Sequence, residues 1–178
     1  RRFKPGDQVY ARPAKDRIGT FAEYIAVDEA DVALKPKNLT MAEAASVPLV
    51  ALTAWQALVD IGQVKQGQKV FIQAGSSGVG TFAVQMAKHL GAEVATTASA
   101  KNFGLVKDLG ADVAIDYKTQ DFVAEIARIT EGRGVDVVLD MVAGDYVARE
   151  VKCLANDGRL AIIAVQGGTT SEIDTGVV

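Results

Sequence analysis

The rhythm of apolar positions in this chain changes near residue 69. Up to about residue 40 the apolar residues come in short bursts, as β structure requires. A Lys4-Pro5-Gly6-Asp7 turn leads into Gln8-Val9-Tyr10-Ala11. Phe21-Ala22-Glu23-Tyr24-Ile25-Ala26-Val27 alternates in part, the pattern of a half-buried strand. Lys35-Pro36-Lys37 then interrupts the run, because proline cannot donate to a ladder. Two or three strands in this span cannot build a core alone. Residues 1–40 are therefore expected to be the end of a larger β-rich domain.

Residues 41–68 read as a helical linker region. Thr40 stands three residues before Glu43, the spacing of a capping box. An apolar stretch follows to Leu58, with Pro48 predicting a break or kink inside it. Gly62 and Gly67 bracket the polar Gln63-Val64-Lys65-Gln66.

From Lys69 on, apolar runs of strand length alternate with helical periods. The strands are Val70 to Ala74, Glu93 to Thr97, Asp112 to Asp116, Val135 to Asp140 and Leu160 to Val165. Helices are expected through Leu90, over Leu105 to Leu109, Phe122 to Ile129 and Tyr146 to Leu154. Five such strands separated by helices predict an α/β fold, a Rossmann-type doubly wound parallel sheet over 69–178. Continuous apolar runs suit strands covered on both faces.

Composition narrows the classes. Apolar residues are 49% and charged residues 23% of 178, an ordinary globular balance. A net charge of −3 gives no electrostatic case for nucleic acid or an anionic membrane surface. No apolar run approaches the roughly 20 residues of a membrane span. The single cysteine, Cys153, excludes an internal disulfide and suits a reducing cytoplasm. The chain opens on Arg1-Arg2-Phe3, without an initiator methionine, and reads as a fragment of a longer protein.

The first candidate chemistry is the loop Gly75-Ser76-Ser77-Gly78-Val79-Gly80, between a buried strand and a helix at the first crossover. A glycine-rich motif alone is weak; this context gives it meaning. Gly75 permits a sharp turn and Gly80 lets the helix approach the sheet. The N–H groups at the helix start, with its dipole, then face a pyrophosphate. The strict pattern places glycine where this chain has Ser77, a departure. The competing reading is a structural turn in some other α/β protein.

The cofactor expected here is NADPH. An NAD-specific site carries Asp or Glu about 20 residues beyond the first glycine, for the ribose hydroxyls. Thr96-Thr97-Ala98-Ser99-Ala100-Lys101-Asn102 contains no acid. Ser99 can donate a hydrogen bond to a 2′-phosphate, Lys101 supplies positive charge, and Tyr117 can reach the same pocket. A capped helix start with a solvated lysine is the competing reading, so the missing acid is the firmer half of the argument.

With these pieces in place the chain resembles the medium-chain dehydrogenase/reductase superfamily, in its zinc-independent quinone oxidoreductase and enone reductase branch. The resemblance rests on Pro5 to Tyr10, Gly19 to Tyr24, Ala44 to Leu49, Leu52-Thr53-Ala54, Ala74 to Gly80, Leu109 to Asp112 and Ile115-Asp116-Tyr117. It implies that residues 1–40 end a GroES-like β domain and that nicotinamide meets substrate in a cleft between the domains. By position, Ser99, Lys101 and Tyr117 match the residues holding the 2′-phosphate. Thr53 matches a residue near the nicotinamide, and Gln166 and Gly167 match the turn flanking that ring. A homodimer is implied as well.

Zinc-using relatives carry a four-cysteine lobe after the Gly-Asp-x-Val strand and a cysteine ligand four residues before the threonine. Here the first stretch has no cysteine and the second position is Leu49, which cannot bind zinc. Hydride transfer without zinc suits an activated acceptor, a quinone or the β-carbon of an α,β-unsaturated ketone. The alternatives are a zinc-type alcohol dehydrogenase, against which Leu49 argues, and a non-catalytic NADPH-binding sensor. His89 reads as a surface histidine, Cys153 as a small core residue and Trp55 as packing between the linker helix and the cofactor domain. Asp140 either lines the cofactor cleft or caps a turn.

Overall fold

A computed structural model describes residues 2–14, 16 and 19–177. The chain divides into two compact units, Arg1–Leu52 and Thr53–Val178, with the boundary inside a helix.

In the first unit, β1 (Val9–Ala11) pairs antiparallel with β2 (Val32–Leu34), placing Val9 opposite Leu34 and Ala11 opposite Val32. The strand expected over 21–27 does not form. Phe21 and Tyr24 are 105% and 90% exposed. Among the described residues β1 and β2 satisfy each other, so segment 21–27 has no ladder to join and no face to bury. An alternating pattern alone cannot hold an isolated strand in water.

Thr40 and Glu43 form the predicted capping box. The Thr40 N–H and Oγ1 both donate to Glu43 Oε2 at 2.8 Å, and the Glu43 N–H returns to Thr40 Oγ1 at 3.2 Å. Helix α1 (Met41–Trp55) runs on through Pro48, and a π-helical stretch, Gln56–Ile61, continues it to Gly62. The irregularity thus falls eight residues later than proline placed it. Together they make an apolar helical span, Met41–Ile61, of 21 residues, long enough on length and composition alone to cross a membrane. This corrects the expectation that no apolar run approaches the length of a membrane span. Ala54, Ala57 and Leu58 on that span are buried in the core of the second unit, although only 28% of its apolar window is buried.

The second unit is a Rossmann-type sheet. Its strands are β3 (Lys69–Ile72), β4 (Glu93–Ala98), β5 (Val113–Asp116), β6 (Val135–Asp140) and β7 (Leu154–Ile162). All neighbouring pairs are parallel, in the order β5-β4-β3-β6-β7. The helices are α2 (Gly78–His89), α3 (Phe103–Asp108), α4 (Phe122–Ile129) and α5 (Asp145–Val151).

Alternate strand residues serve opposite faces, which makes the sheet doubly wound. Val70, Ile72, Val94, Val137 and Leu139 pack with Ala83 and Val84 of α2 and Val106 of α3. Phe71, Ala95, Ile115 and Val138 pack with Phe122 and Ile126 of α4 and with Cys153. The strand order reverses between β3 and β6, where open α/β sheets leave a crevice beyond the strand ends.

Strand β7 begins earlier than its apolar run suggested. Val135 pairs with Leu154 and Val137 with Arg159, so the ladder skips residues in between. Asp157 there has φ 61°, and Asn156-Asp157-Gly158 reads from sequence as a turn, hiding the strand's first half.

Candidate active site

The turn after β3 is shaped by contacts that forbid side chains at two places. The Ala74 N–H donates to Thr97 Oγ1 at 2.8 Å and the Gly75 N–H to the Thr97 carbonyl at 2.9 Å, so the end of β4 holds the turn. A Cβ at Gly75 would lie 2.1 Å from Thr96 Oγ1. One at Gly80 would lie 2.3 Å from the Ala74 carbonyl oxygen. Gly80 therefore lets α2 start hard against the turn. Ala74 itself has φ 50°, a conformation few L-residues adopt.

Ser77 departs from the strict glycine pattern because it has a task of its own. It is the N-cap of α2, with its Oγ accepting from the Gly80 N–H at 3.0 Å. That hydroxyl also donates to Met141 Sδ at 3.1 Å. The cap satisfies one of the orphan amides and leaves those of Gly78 and Val79 open at the positive end of a 12-residue helix. Such an end binds an anion without further help.

A cleft of about 490 Å³ opens beside this turn, at the carboxyl ends of β3, β4 and β6. Ser76 and Ser77 line it from the turn, Ser99, Lys101 and Asn102 from the loop after β4, and Tyr117 from the end of β5. Val142 and Tyr146 close the side beyond β6. No carboxylate lines it, and Lys101 forms no ion pair among the described residues. The structure thus brings Ser76, Ser77, Ser99, Lys101 and Tyr117 to one wall-to-wall space, with cationic character at one end and open amides at the other. The shape, the glycine contacts and the free lysine fit a dinucleotide.

Two further contacts fix the walls. Asn102 Nδ2 donates to Ser76 Oγ at 3.0 Å, tying the loop after β4 to the glycine turn. Arg149 stacks on Phe122 and Tyr146, 4.0 and 5.5 Å from their ring centres, and pairs with Asp121 at 2.8 Å. That hydrogen bond from Arg149 holds the Asp121 carboxyl below its usual range. Asn102 and Tyr146 carry no motif signal, since their roles depend on neighbours 26 positions away in sequence or on another face.

Beneath the cleft lies a buried polar group that sequence reasoning did not find. Thr97 Oγ1 donates to Gln73 Oε1 at 2.7 Å, and Gln73 Nε2 donates to Glu150 Oε1 at 2.9 Å. Burial, and then the charge of Asp140, push the Glu150 carboxyl up to about 8. Asp140 caps the turn after β6, accepting from the Val142 and Ala143 N–H groups at 2.6 and 2.8 Å. Between its two sequence readings, the geometry makes it a turn cap.

Gly167 lies against that same turn. Its N–H donates to the Val142 carbonyl at 2.6 Å, and a Cβ on Gly144 would meet the Gly167 carbonyl oxygen at 2.3 Å. Gln166 and Gly167 are exposed and sit at the edge of the cleft, outside its lining. Thr53, half-buried in α1, also lies outside the lining. His89 is exposed, and Trp55 lines a groove with Met86 of α2 and Leu90 just beyond it while keeping half its surface in solvent. Cys153 is buried, and burial pushes its thiol up to about 12, the state of an inert core residue. Among the described residues no three His, Cys, Asp or Glu side chains are grouped to hold a metal.

Comparison with known proteins follows the same lines. Residues 78–178 match the family model described as zinc-binding dehydrogenase. The chain is 42% identical over 147 residues to the mitochondrial NAD(P)H oxidoreductase RTN4IP1 of Danio rerio, covering 80% of this chain and 37% of that protein. Among solved structures, an alcohol dehydrogenase superfamily protein from Novosphingobium aromaticivorans superimposes with a TM-score of 0.85 at 37% identity, over 94% of this chain and 51% of that one. The quinone oxidoreductase from Coxiella burnetii gives 0.80 at 38% identity, over 87% and 47%. The chain spans about half the length of these solved relatives and little more than a third of the curated one.

Proposed function

This chain belongs to the zinc-binding dehydrogenase family of the medium-chain dehydrogenase/reductase superfamily, and from that premise we propose that it is the cofactor-binding part of an NADPH-dependent reductase of quinones or α,β-unsaturated carbonyls. The observation that carries the proposal is the junction of Ser99, Lys101 and Tyr117 with the glycine turn in one acid-free cleft.

In this reading the open Gly78 and Val79 amides take the pyrophosphate, with the α2 dipole behind them. Lys101, with Ser99 and Tyr117, takes the 2′-phosphate, which a carboxylate at the end of β4 would repel. Asn102 keeps the two phosphate subsites at a fixed separation through Ser76. Gln166, Gly167 and Thr53 are assigned to the nicotinamide end. When bound, the reduced nicotinamide supplies a hydride. The chain's own part is to orient that ring and keep water from it.

The residues present do not fit a catalytic zinc. Leu49 stands where zinc-using relatives place a cysteine, and an apolar side chain cannot replace a thiolate. The quinone oxidoreductase among the structural relatives supports a quinone as acceptor. A homodimer in a reducing compartment such as the cytoplasm completes the proposal; the lone, buried Cys153 supports the compartment.

The test is stopped-flow oxidation of NADPH and of NADH by the full-length protein, with a quinone and an enone as acceptors. Faster turnover and tighter binding with NADPH are expected. Preference for NADH would overturn the cofactor assignment. Tight NADPH binding without turnover would mark a sensor, and stoichiometric zinc would mark an alcohol dehydrogenase.

A further inference from the structure

Four side chains with no more than 2% exposure form a polar row under the cleft, hydrogen-bonded from Thr97 through Gln73 to Glu150, with Asp140 beside Glu150. They come from β4, the β3 turn, α5 and β6. At one end, Thr97 Oγ1 accepts the N–H of Ala74, in the glycine turn. At the other, Asp140 accepts the two amides of the turn that Val142 extends into the cleft. The row therefore joins the three strand ends that frame the site.

One atom in it is unaccounted for. Glu150 Oε1 accepts from Gln73, but Oε2 is buried without a hydrogen-bond partner. The group facing Glu150 is the Asp140 carboxyl. Two carboxylates cannot both be charged side by side where water is excluded. Asp140 has an amide donor on each oxygen, whereas no donor reaches Glu150 Oε2.

We propose that Glu150 is a positioning residue that holds a proton on Oε2, shared with Asp140, and so clamps the ends of β3, β4 and β6 in the shape that receives the dinucleotide. The proposal rests on reading the cleft as a dinucleotide site. Loss of that proton sets two negative charges against each other and loosens the turn at 142–144, where Ala143 and Gly144 have φ values of 58° and 57°.

The surroundings of Glu150 favour the neutral acid. Arg149 on the same helix acts in the opposite direction, but Asp121 at the start of α4 engages it. The Cys153 thiol, beyond the end of α5, stays neutral, and Gln73 from the β3 turn carries no charge. The folded protein keeps the proton up to about pH 8, against 4.5 for an ordinary glutamate. Its contribution to folding is thus complete below pH 4.5 and is lost as pH rises through about 8.

Two measurements test this in the full-length protein. Infrared spectra with 13C-labelled glutamate are expected to show a carboxylic-acid band at about pH 6.5, where ordinary carboxyls are ionised, that fades with a midpoint near 8. Titration with NADPH is expected to show about tenfold weaker binding at about pH 9.5 than at about pH 6.5, and Glu150→Gln to abolish that difference, because the amide still donates to Asp140 but cannot ionise. No glutamic-acid band at the lower pH overturns the proposal, and this needs no variant to fold. An equal pH loss in E150Q and wild type overturns it as well. If NADPH binds at neither pH while the band is present, the cofactor reading falls and the shared proton stands.

Discussion

Segment 21–27 is more apolar than strand β4, six residues of seven against three of six, yet it is β4 that is buried. Five of the six residues of β4 are buried, between β3 on one side and β5 on the other. Segment 21–27 has Phe21, Tyr24 and Ile25 turned to solvent and pairs with nothing among the described residues. The residue types do not explain this difference, since both stretches suit a pleated surface. What differs is whether the chain supplies neighbours. A strand's stability resides in its cross-strand and facing contacts, and β4 has both while 21–27 has no strand partner among the described residues.

The largest test of that contrast is Phe71→Ala. Phe71 is 0% exposed and sits 5.5 Å, ring centre to ring centre, from Phe122. Its loss is expected to cost about 4 kcal/mol of unfolding free energy in a denaturant titration, as for other buried aromatics. A cost below about 1 kcal/mol would mean that this core is loose, and the contrast would collapse.

Gly80→Ala comes next and probes the turn rather than the core. The added Cβ meets backbone, which cannot swing aside. Destabilisation of about 3 kcal/mol is expected, at the upper end of overpacking costs, with loss of NADPH binding. A stable variant that binds normally would show that α2 need not approach the turn so closely.

The same contrast explains what the sequence could reveal. The β3–α2 unit was legible because its elements, its glycines and its neighbours follow one another within about 30 residues, the compass of a βαβ unit. So was the capping box at Thr40 and Glu43, which needs only three residues. The Gln73–Glu150 contact spans 77 positions and leaves no periodic trace. The π-helical stretch after Trp55 and the skipped ladder residues before Arg159 were hidden for the same reason. Each is set by packing against elements distant in sequence. Segment 21–27 was over-read because pattern proposes a strand before pairing can veto it.

Lys101→Ala carries the contrast from stability to binding. Lys101 follows β4 and owes its position to that strand's pairing. NADPH affinity is expected to fall about tenfold, near 1.5 kcal/mol for a hydrogen bond to a charged group, while NADH affinity and stability stay unchanged. An equal loss for both cofactors, read by fluorescence titration, would move Lys101 away from the 2′-phosphate.

The smallest expected effect is at Phe21, and it is informative because Phe71 is the same residue type. Phe21 is 105% exposed, so Phe21→Ser removes no buried surface in this chain. Exposed positions away from special features change stability by less than about 0.5 kcal/mol. Denaturation of the isolated 178-residue chain should therefore give the same midpoint for the variant and wild type. If the same substitution in the full-length protein costs about 2 kcal/mol or more, residues outside this chain cover the ring there. A comparable loss in the isolated chain would instead place Phe21 against something within it. Segment 21–27 would then be a strand after all, and neighbour supply would no longer separate it from β4.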